Sequence, residues 1–414
     1  MLCKDQTAGA RRLPELLSPA GNMEKLRAAV RFGADAVYLS GKLFGMRAAA
    51  DNFTHDELCA AVAYAHGAGV RVYLTVNVMP HEGDYPALRQ YLASLRDVHP
   101  DALIVSDLGV LGAARELLPD VALHISTQAN VLSSEGCRAY QALGASRIVL
   151  ARETSMAEIR AIRENIPPEL ELEAFVHGSM CMAYSGRCLL SSFFTGRDAN
   201  RGACTQPCRW HYTITEEKRP QMPIPLEEHG GETFFLSSMD TCMIRHIPEL
   251  VSCGVNSLKI EGRMKSAYYT AAVTNAYRMA MDAYAAGKPY SDEWMTELSS
   301  VSHRPYHTGF YFDRPEQYAN ITEDTGYIRE KAYLAMVLSY NDADGCAWMV
   351  QKNKFSVGDR VELLTPGRTG RAFTVSRLEN ETHEEIDAVP HPQMKFYMPV
   401  PFPVQPGDIL RAGE

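Results

Sequence analysis

No HExxH, GxSxG or GxGxxG motif occurs in the 414 residues of this chain, and no two cysteines have two residues between them. These absences remove the zinc-peptidase helix, the nucleophile elbow, the dinucleotide fingerprint after a first strand, and the CxxC redox pair. No apolar run approaches the ~18 residues that a membrane span requires, so no membrane partner is expected. The opening MLCKDQTAGARRLPELL has no apolar core, so a cytoplasmic location is expected rather than secretion. Excess positive charge is missing too. The net charge of −9 disfavours non-specific coating of nucleic acid, although a local basic site remains open.

What is present is a repeating unit. Apolar runs at 15–20, 36–40, 72–77, 102–107, 123–128, 147–153, 172–178 and 257–263 read as strands buried on both faces, because they do not alternate. Thr54 to Glu57 and Ser155 to Glu158 fit capping boxes that open the helices between them. Gly33, Gly69, Gly144 and Gly254 fall where each helix turns back to a strand. Eight strands, seven intervening helices and one more helix over 264–286 predict an α/β fold of the TIM-type (β/α)8 barrel kind. A doubly wound sheet is the alternative. The barrel is expected over 13–290, with 179–239 as a Cys-rich insertion after the seventh strand. Residues 291–331 read as an irregular linker, and 332–414 as a small all-β, barrel-like domain with six strand-like runs. Within the insertion, 210–216 and 232–238 alternate as an antiparallel pair would.

The insertion opens with four cysteines, Cys181, Cys188, Cys204 and Cys208, with six, fifteen and three residues between them. A reducing compartment disfavours disulfides. Structural zinc pairs ligands two to four residues apart, which only Cys204 and Cys208 satisfy. An iron–sulfur cluster needs four thiolates and tolerates irregular spacing. Spacing leaves zinc and iron–sulfur both open. Arg187, Arg197, Arg201 and Arg209 lie in the same stretch against Asp198 alone, a candidate RNA-binding set.

In a parallel barrel the residues closing each strand point at the active site. Here these include Ser18, Asn77, Asp107, Gln128, Glu153 and His177, with Lys259, Glu261 and Arg263 after the eighth strand and Arg47 after the second. Arg47, Lys259 and Arg263 at one mouth suit an anion. Asn77 and Gln128 would orient it, while His177 and Glu261 are candidates for proton transfer.

The stretches ELLSPAG, GADAVYL, MRAAADNF, STQANV, FVHGSMCMAYSGRCLLSS, RGACTQPCRW and SLKIEGRMKSAYY resemble those of the collagenase-like peptidases, peptidase family U-32. The likeness runs over roughly 13–290, and the C-terminal β domain is similar as well. The resemblance implies that Cys181, Cys188, Cys204 and Cys208 hold a 4Fe-4S cluster. The branch closest in length and layout hydroxylates tRNA to 5-hydroxyuridine at the wobble position, using prephenate as co-substrate and no molecular oxygen. The expected partners are then prephenate, the tRNA anticodon loop (its base stacked on Tyr184 or Trp210) and a paralogous family subunit. Sister branches hydroxylate ribosomal RNA or ubiquinone precursors. A collagenase-like peptidase and a non-catalytic electron-transfer subunit are the competing readings.

Overall fold

The computed structural model describes residues 13–413 except 48–49, 182, 313–327, 329 and most of 211–237. Seven parallel strands run in order around a barrel: β1 (Glu15–Pro19), β2 (Ala36–Leu39), β3 (Arg71–Val76), β4 (Ala102–Val105), β5 (Ala122–Ile125), β6 (Arg147–Val149) and β7 (Glu171–Ser179). The helices α1 (Met23–Arg31), α2 (His55–Gly67), α3 (Tyr85–Ser94), α4 (Leu108–Leu117), α5 (Ser134–Ala142) and α6 (Met156–Glu164) alternate with them. Both predicted capping boxes form, and all four turn glycines adopt positive φ.

The insertion carries α7 (Leu190–Thr195) and two short antiparallel pairs, β8 (Ile214–Thr215) with β9 (Pro223–Ile224) and β10 (Glu228–His229) with β11 (Glu232–Thr233). This corrects the expected pairing of 210–216 with 232–238. Each half turns back on its nearest neighbour, because a short local turn closes at lower entropic cost than a long one; 211–213, 216 and 234–237 lie outside the described residues. Next, β12 (Asp240–Cys242) pairs antiparallel with the far end of β7 and leads through α8 (Ile247–Ser252) to β13 (Ser257–Ile260). β13 pairs with β7 on one side and β1 on the other, so the barrel is closed by eight parallel strands. The following helix α9 (Ala267–Ala285) starts three residues later than predicted, capped by Ser266, because 262–265 form a turn at the mouth.

The stretch 291–331 is not simply an irregular linker. It holds α10 (Glu293–Ser299), packed on α9, and β14 (Tyr306–His307), which extends the barrel sheet beside β12. Its aromatic, loop-like composition hid elements whose stability comes from packing rather than propensity.

The C-terminal sheet is antiparallel, in the order β18-β17-β20-β15-β16-β19, built from β15 (Tyr333–Asn341), β16 (Cys346–Gln351), β17 (Arg360–Leu364), β18 (Arg371–Thr374), β19 (Lys395–Pro399) and β20 (Ile409–Ala412). It has its own core of alternating inward residues, including Val361, Leu363, Phe396 and Leu410. Arg411 fastens it to the barrel: its guanidinium donates to Glu297 of α10 at 2.6 and 2.8 Å and to Glu362 at 2.8 Å.

Candidate anion pocket beneath a cysteine lid

The floor of the barrel is a closed ionic network. Arg147 donates to Glu15 at 2.7 Å and to Glu173 at 3.1 Å, and Glu173 in turn accepts from Lys259 at 2.7 Å. Tyr73 and Ser257 donate to the same Glu15 at 2.6 and 2.9 Å. Every charge here faces an opposite one, as buried ions require. Lys259 is therefore bound from below. Burial pulls its pKa below the ordinary lysine value, against the pull of Glu173, and its ammonium sits 4.6 Å from the Tyr38 ring.

Above this network the residues change character. Arg47, Asn77, Gln128, Lys259, Glu261 and Arg263, all expected at the mouth, line one small pocket of about 50 Å³ together with Arg152, Tyr38 and Phe175. Asn77 accepts from the Met46 amide at 3.2 Å, holding the loop that carries Arg47 over the mouth. Arg47 reaches Glu261 at 3.6 Å. Desolvation works against its charge, but Glu261 and the nearby Cys181 and Cys204 outweigh that and hold its pKa above the ordinary value. Among the described residues Arg263 makes no ion pair, and Glu261 acts on it only from a distance. It donates to the Thr75 hydroxyl at 2.8 Å, and burial lowers its pKa to about 10.

Arg152 was missed in the sequence, where Glu153 seemed to close the strand. It is anchored by one donor to the Ser179 carbonyl at 2.9 Å and lies 4.2 Å over the Phe175 ring. Its Nε and the Oε1 of Gln128 are both buried without a hydrogen-bond partner. The available signal was a guanidinium three positions past the end of β6, on the loop face where barrels carry chemistry.

His177 is not at the pocket. Between Lys259 and Ile260 the register with β7 slips, so that Phe175 and His177, two residues apart, oppose neighbours. Such a bulge reverses which side a strand's next side chain takes. His177 is packed among Tyr269, Tyr277 and Tyr306, ring centroids 5.2–6.0 Å away, and lines neither cavity described here. Burial drives its pKa down to about 3, so it stays neutral and cannot shuttle protons to a ligand. The next residue must be glycine: Gly178 has φ +109°, and a Cβ there would meet the Glu261 carbonyl at 2.7 Å. This close approach sets Glu261 at the rim.

All four cysteines of the insertion line a second cavity of about 460 Å³, which shares Met46, Arg47, Gln128, Arg152 and Glu261 with the pocket below. The two spaces adjoin across these shared residues. Several contacts build the lid. Asn200 donates to the Cys188 carbonyl at 2.9 Å, Ser191 accepts from the Thr205 amide at 3.0 Å, and the Gln206 amide donates to the Cys204 sulfur at 3.3 Å. Burial pushes the Cys208 thiol pKa up, and Cys181, Cys204 and Cys188 add to it, so the four sulfurs sense one another. Among the described residues no three of His, Cys, Asp and Glu converge tightly enough to grip a single metal ion. The thiols ring a space instead of meeting at a point.

The four arginines of the lid separate. Arg201 is tied to the barrel: it donates to Asp84 at 2.6 Å and to the Met79 carbonyl at 3.0 Å, so it anchors the lid and does not present itself to RNA. Arg209 is half-buried and donates to the Gln206 side chain at 3.0 Å. Arg187 and Arg197 are exposed.

A family model described as peptidase family U32 matches residues 21–321, and one for the C-terminal domain of that family matches 329–411. The chain is 36% identical over 404 residues to "tRNA hydroxylation protein P1" of Bacillus subtilis, covering 97% of this chain and 95% of that one. A "collagenase" of Porphyromonas gingivalis is 31% identical, with 96% and 97% covered. A "23S rRNA 5-hydroxycytidine synthase" of Escherichia coli is 38% identical over 278 residues, 67% of this chain and 40% of that one.

Proposed function

Because the chain belongs to peptidase family U32, we propose that it is an RNA hydroxylase, forming 5-hydroxyuridine at the tRNA wobble position in a prephenate-dependent, oxygen-independent reaction. The observation that carries this reading is the charge balance of the mouth. Of its four cations, Arg47 faces Glu261 and Lys259 is spent on Glu173, while Arg152 and Arg263 make no ion pair among the described residues. Two guanidinium groups without a direct carboxylate contact around one pocket suit a dianion, and prephenate is a dicarboxylate. At about 50 Å³ the inner pocket takes little more than one carboxylate, so the rest of such a ligand extends into the cavity under the lid.

The division of labour follows from position. Arg263, from the floor side, and Arg152, from the rim, each bind a carboxylate. Gln128 orients the ligand through its unpartnered carbonyl oxygen, and Asn77 holds the Arg47 loop in place. Glu261 reaches both spaces and is the carboxylate available to hold or move a proton. Cys181, Cys188, Cys204 and Cys208 would hold a 4Fe-4S cluster, which supplies electron transfer when bound. The donor set fits that group better than zinc: four soft ligands, an amide donating to one sulfur, and sulfurs spread around a cavity, where a zinc ion needs a single tetrahedral point.

A peptidase reading draws on the family's name and on the collagenase relative. Among the described residues no histidine lines either cavity, so the Ser–His and Cys–His pairs of that chemistry are not found there. Hydroxylation of ribosomal RNA remains the second reading, since one relative bears that name. Nucleoside analysis of tRNA and ribosomal RNA from a deletion strain distinguishes them. Loss of 5-hydroxyuridine derivatives from tRNA is expected; unchanged tRNA with a lost 5-hydroxycytidine would overturn the tRNA assignment. Anaerobically purified protein should be brown, and a colourless, zinc-loaded preparation would remove the cluster.

A further inference from the structure

The lid lines a cavity with its thiols and also exposes large apolar side chains to solvent. Phe193 is 82% exposed and Leu189 72%, and Phe194, Trp210 and Tyr184 are exposed as well. These five lie within 27 residues (184–210), and no comparable run of exposed large apolar residues occurs elsewhere among the described residues. Phe193 and Phe194 meet edge to face with centroids 5.2 Å apart, and Phe194 lies 6.1 Å from Trp210 at a tilt of 52°. The rings form a ridge, and all three keep solvent-exposed surface. The ridge belongs to the site: Leu190, in the same short helix, and Arg209, beside Trp210, line the cavity that the cysteines ring.

The occupant is read from charge. Arg187 and Arg197 lie on either side of Phe193 and Phe194 along the chain, are exposed, and form no ion pair among the described residues. The only acid in the stretch is Asp198, which spends its carboxylate on the Asn200 amide at 2.8 Å. A positive, aromatic strip on a chain of net charge −9 selects an anionic partner with flat rings. Open rings interleaved with guanidinium groups match the stacking surfaces that bind unpaired nucleotides and bind duplexes poorly, since paired bases keep their faces covered.

We propose that the Phe193–Phe194–Trp210 ridge, with Arg187 and Arg197, is a docking surface for single-stranded RNA, on which the nucleotides flanking the reacting one unstack and lie against the rings. This deepens the RNA-hydroxylase reading and rests on it for the identity of the substrate, but the binding surface is tested separately. The arginines take the phosphates on either side, and the ridge supplies affinity for loops without reading their sequence.

The test is fluorescence anisotropy with a labelled RNA hairpin carrying an unpaired loop, compared with a fully paired RNA duplex, using the full-length protein purified without oxygen. Since the substituted side chains are exposed, F193A/F194A should fold normally. It should bind the hairpin roughly 5- to 100-fold more weakly, as expected for losing one or two stacking partners, with little change for the duplex. R187A/R197A should lower affinity and reduce the salt dependence of hairpin binding by about two phosphate contacts. Unchanged hairpin affinity in F193A/F194A overturns the proposal. So does a loss of self-association or of a co-purifying protein subunit on size exclusion without loss of RNA binding, which would make the ridge a protein interface. A deletion strain with normal hydroxylated nucleosides, alongside ridge-dependent hairpin binding, would sink the hydroxylase reading and leave the ridge standing.

Discussion

The two ends of the barrel interior carry the same kinds of side chain and use them differently. At the floor, Arg147 and Lys259 are fully matched by Glu15 and Glu173. At the mouth, Arg152 and Arg263 make no ion pair among the described residues: Arg152 donates to a carbonyl over the Phe175 ring and Arg263 to a hydroxyl. A buried cation without a paired acid costs stability, and folding alone gives no reason to keep Arg263 there. The matched end holds the barrel closed; the unmatched end is shaped for something that arrives later.

The largest effect should come from the lid. Replacing Cys204 or Cys208 with serine removes one of the four proposed cluster ligands, and we expect loss of the visible absorption of purified protein together with all RNA hydroxylation. Activity persisting without the chromophore would detach the lid from the chemistry. Next comes the floor. R147M removes the cation that bridges two buried carboxylates and should cost about 3–5 kcal/mol in chemical denaturation. A change below about 1 kcal/mol would mean that the network is not what closes the barrel. The mouth should respond in the opposite way: R152Q and R263Q leave stability equal or higher while prephenate affinity by calorimetry falls about ten- to hundredfold, one charge-assisted contact each. If both variants unfold but bind prephenate normally, the contrast between the two ends fails.

His177 should give the smallest change in activity. H177F, close in shape within its tyrosine box, should keep hydroxylation within about twofold, because the imidazole touches neither cavity. Its signature is pH. Above the ordinary value of 6.5 both folded and unfolded imidazoles are neutral; between 6.5 and about 3 only the unfolded chain takes up the proton, so stability falls across that window. The phenylalanine variant should lose that part of the acid dependence in denaturation at pH 4 versus pH 7. An unchanged pH slope would place the titration elsewhere.

Much of the scaffold was legible because its signals are local. Buried parallel strands need continuous apolar runs, a helix start needs a capping side chain, and a helix end needs glycine at positive φ; all eight barrel strands could be read this way. The small β domain was legible for the same reason. Segments stabilised by distant partners were not. α10 and β14 looked like loop until α9, β12 and the C-terminal sheet were in place around them. At the site, strand-end position brought six residues to one pocket on paper and in space, but His177 and Arg152 were exchanged. A single bulge, invisible in composition, turned one away from the mouth, and a backbone carbonyl in the insertion drew the other into it.

The sequence by itself determined the barrel, the place of the insertion and the four thiols that open it, since each depends on side-chain type at a fixed spacing along the chain. Only the tertiary structure decided which charges are matched. An ion pair depends on distance through space, and Lys259 could look like a ligand-binding cation until β7 set Glu173 beneath it. The same holds for the lid: the spacing of its cysteines left their arrangement open, and folding against Asp84 and Met79 put all four sulfurs around one cavity above two guanidinium groups that make no ion pair among the described residues.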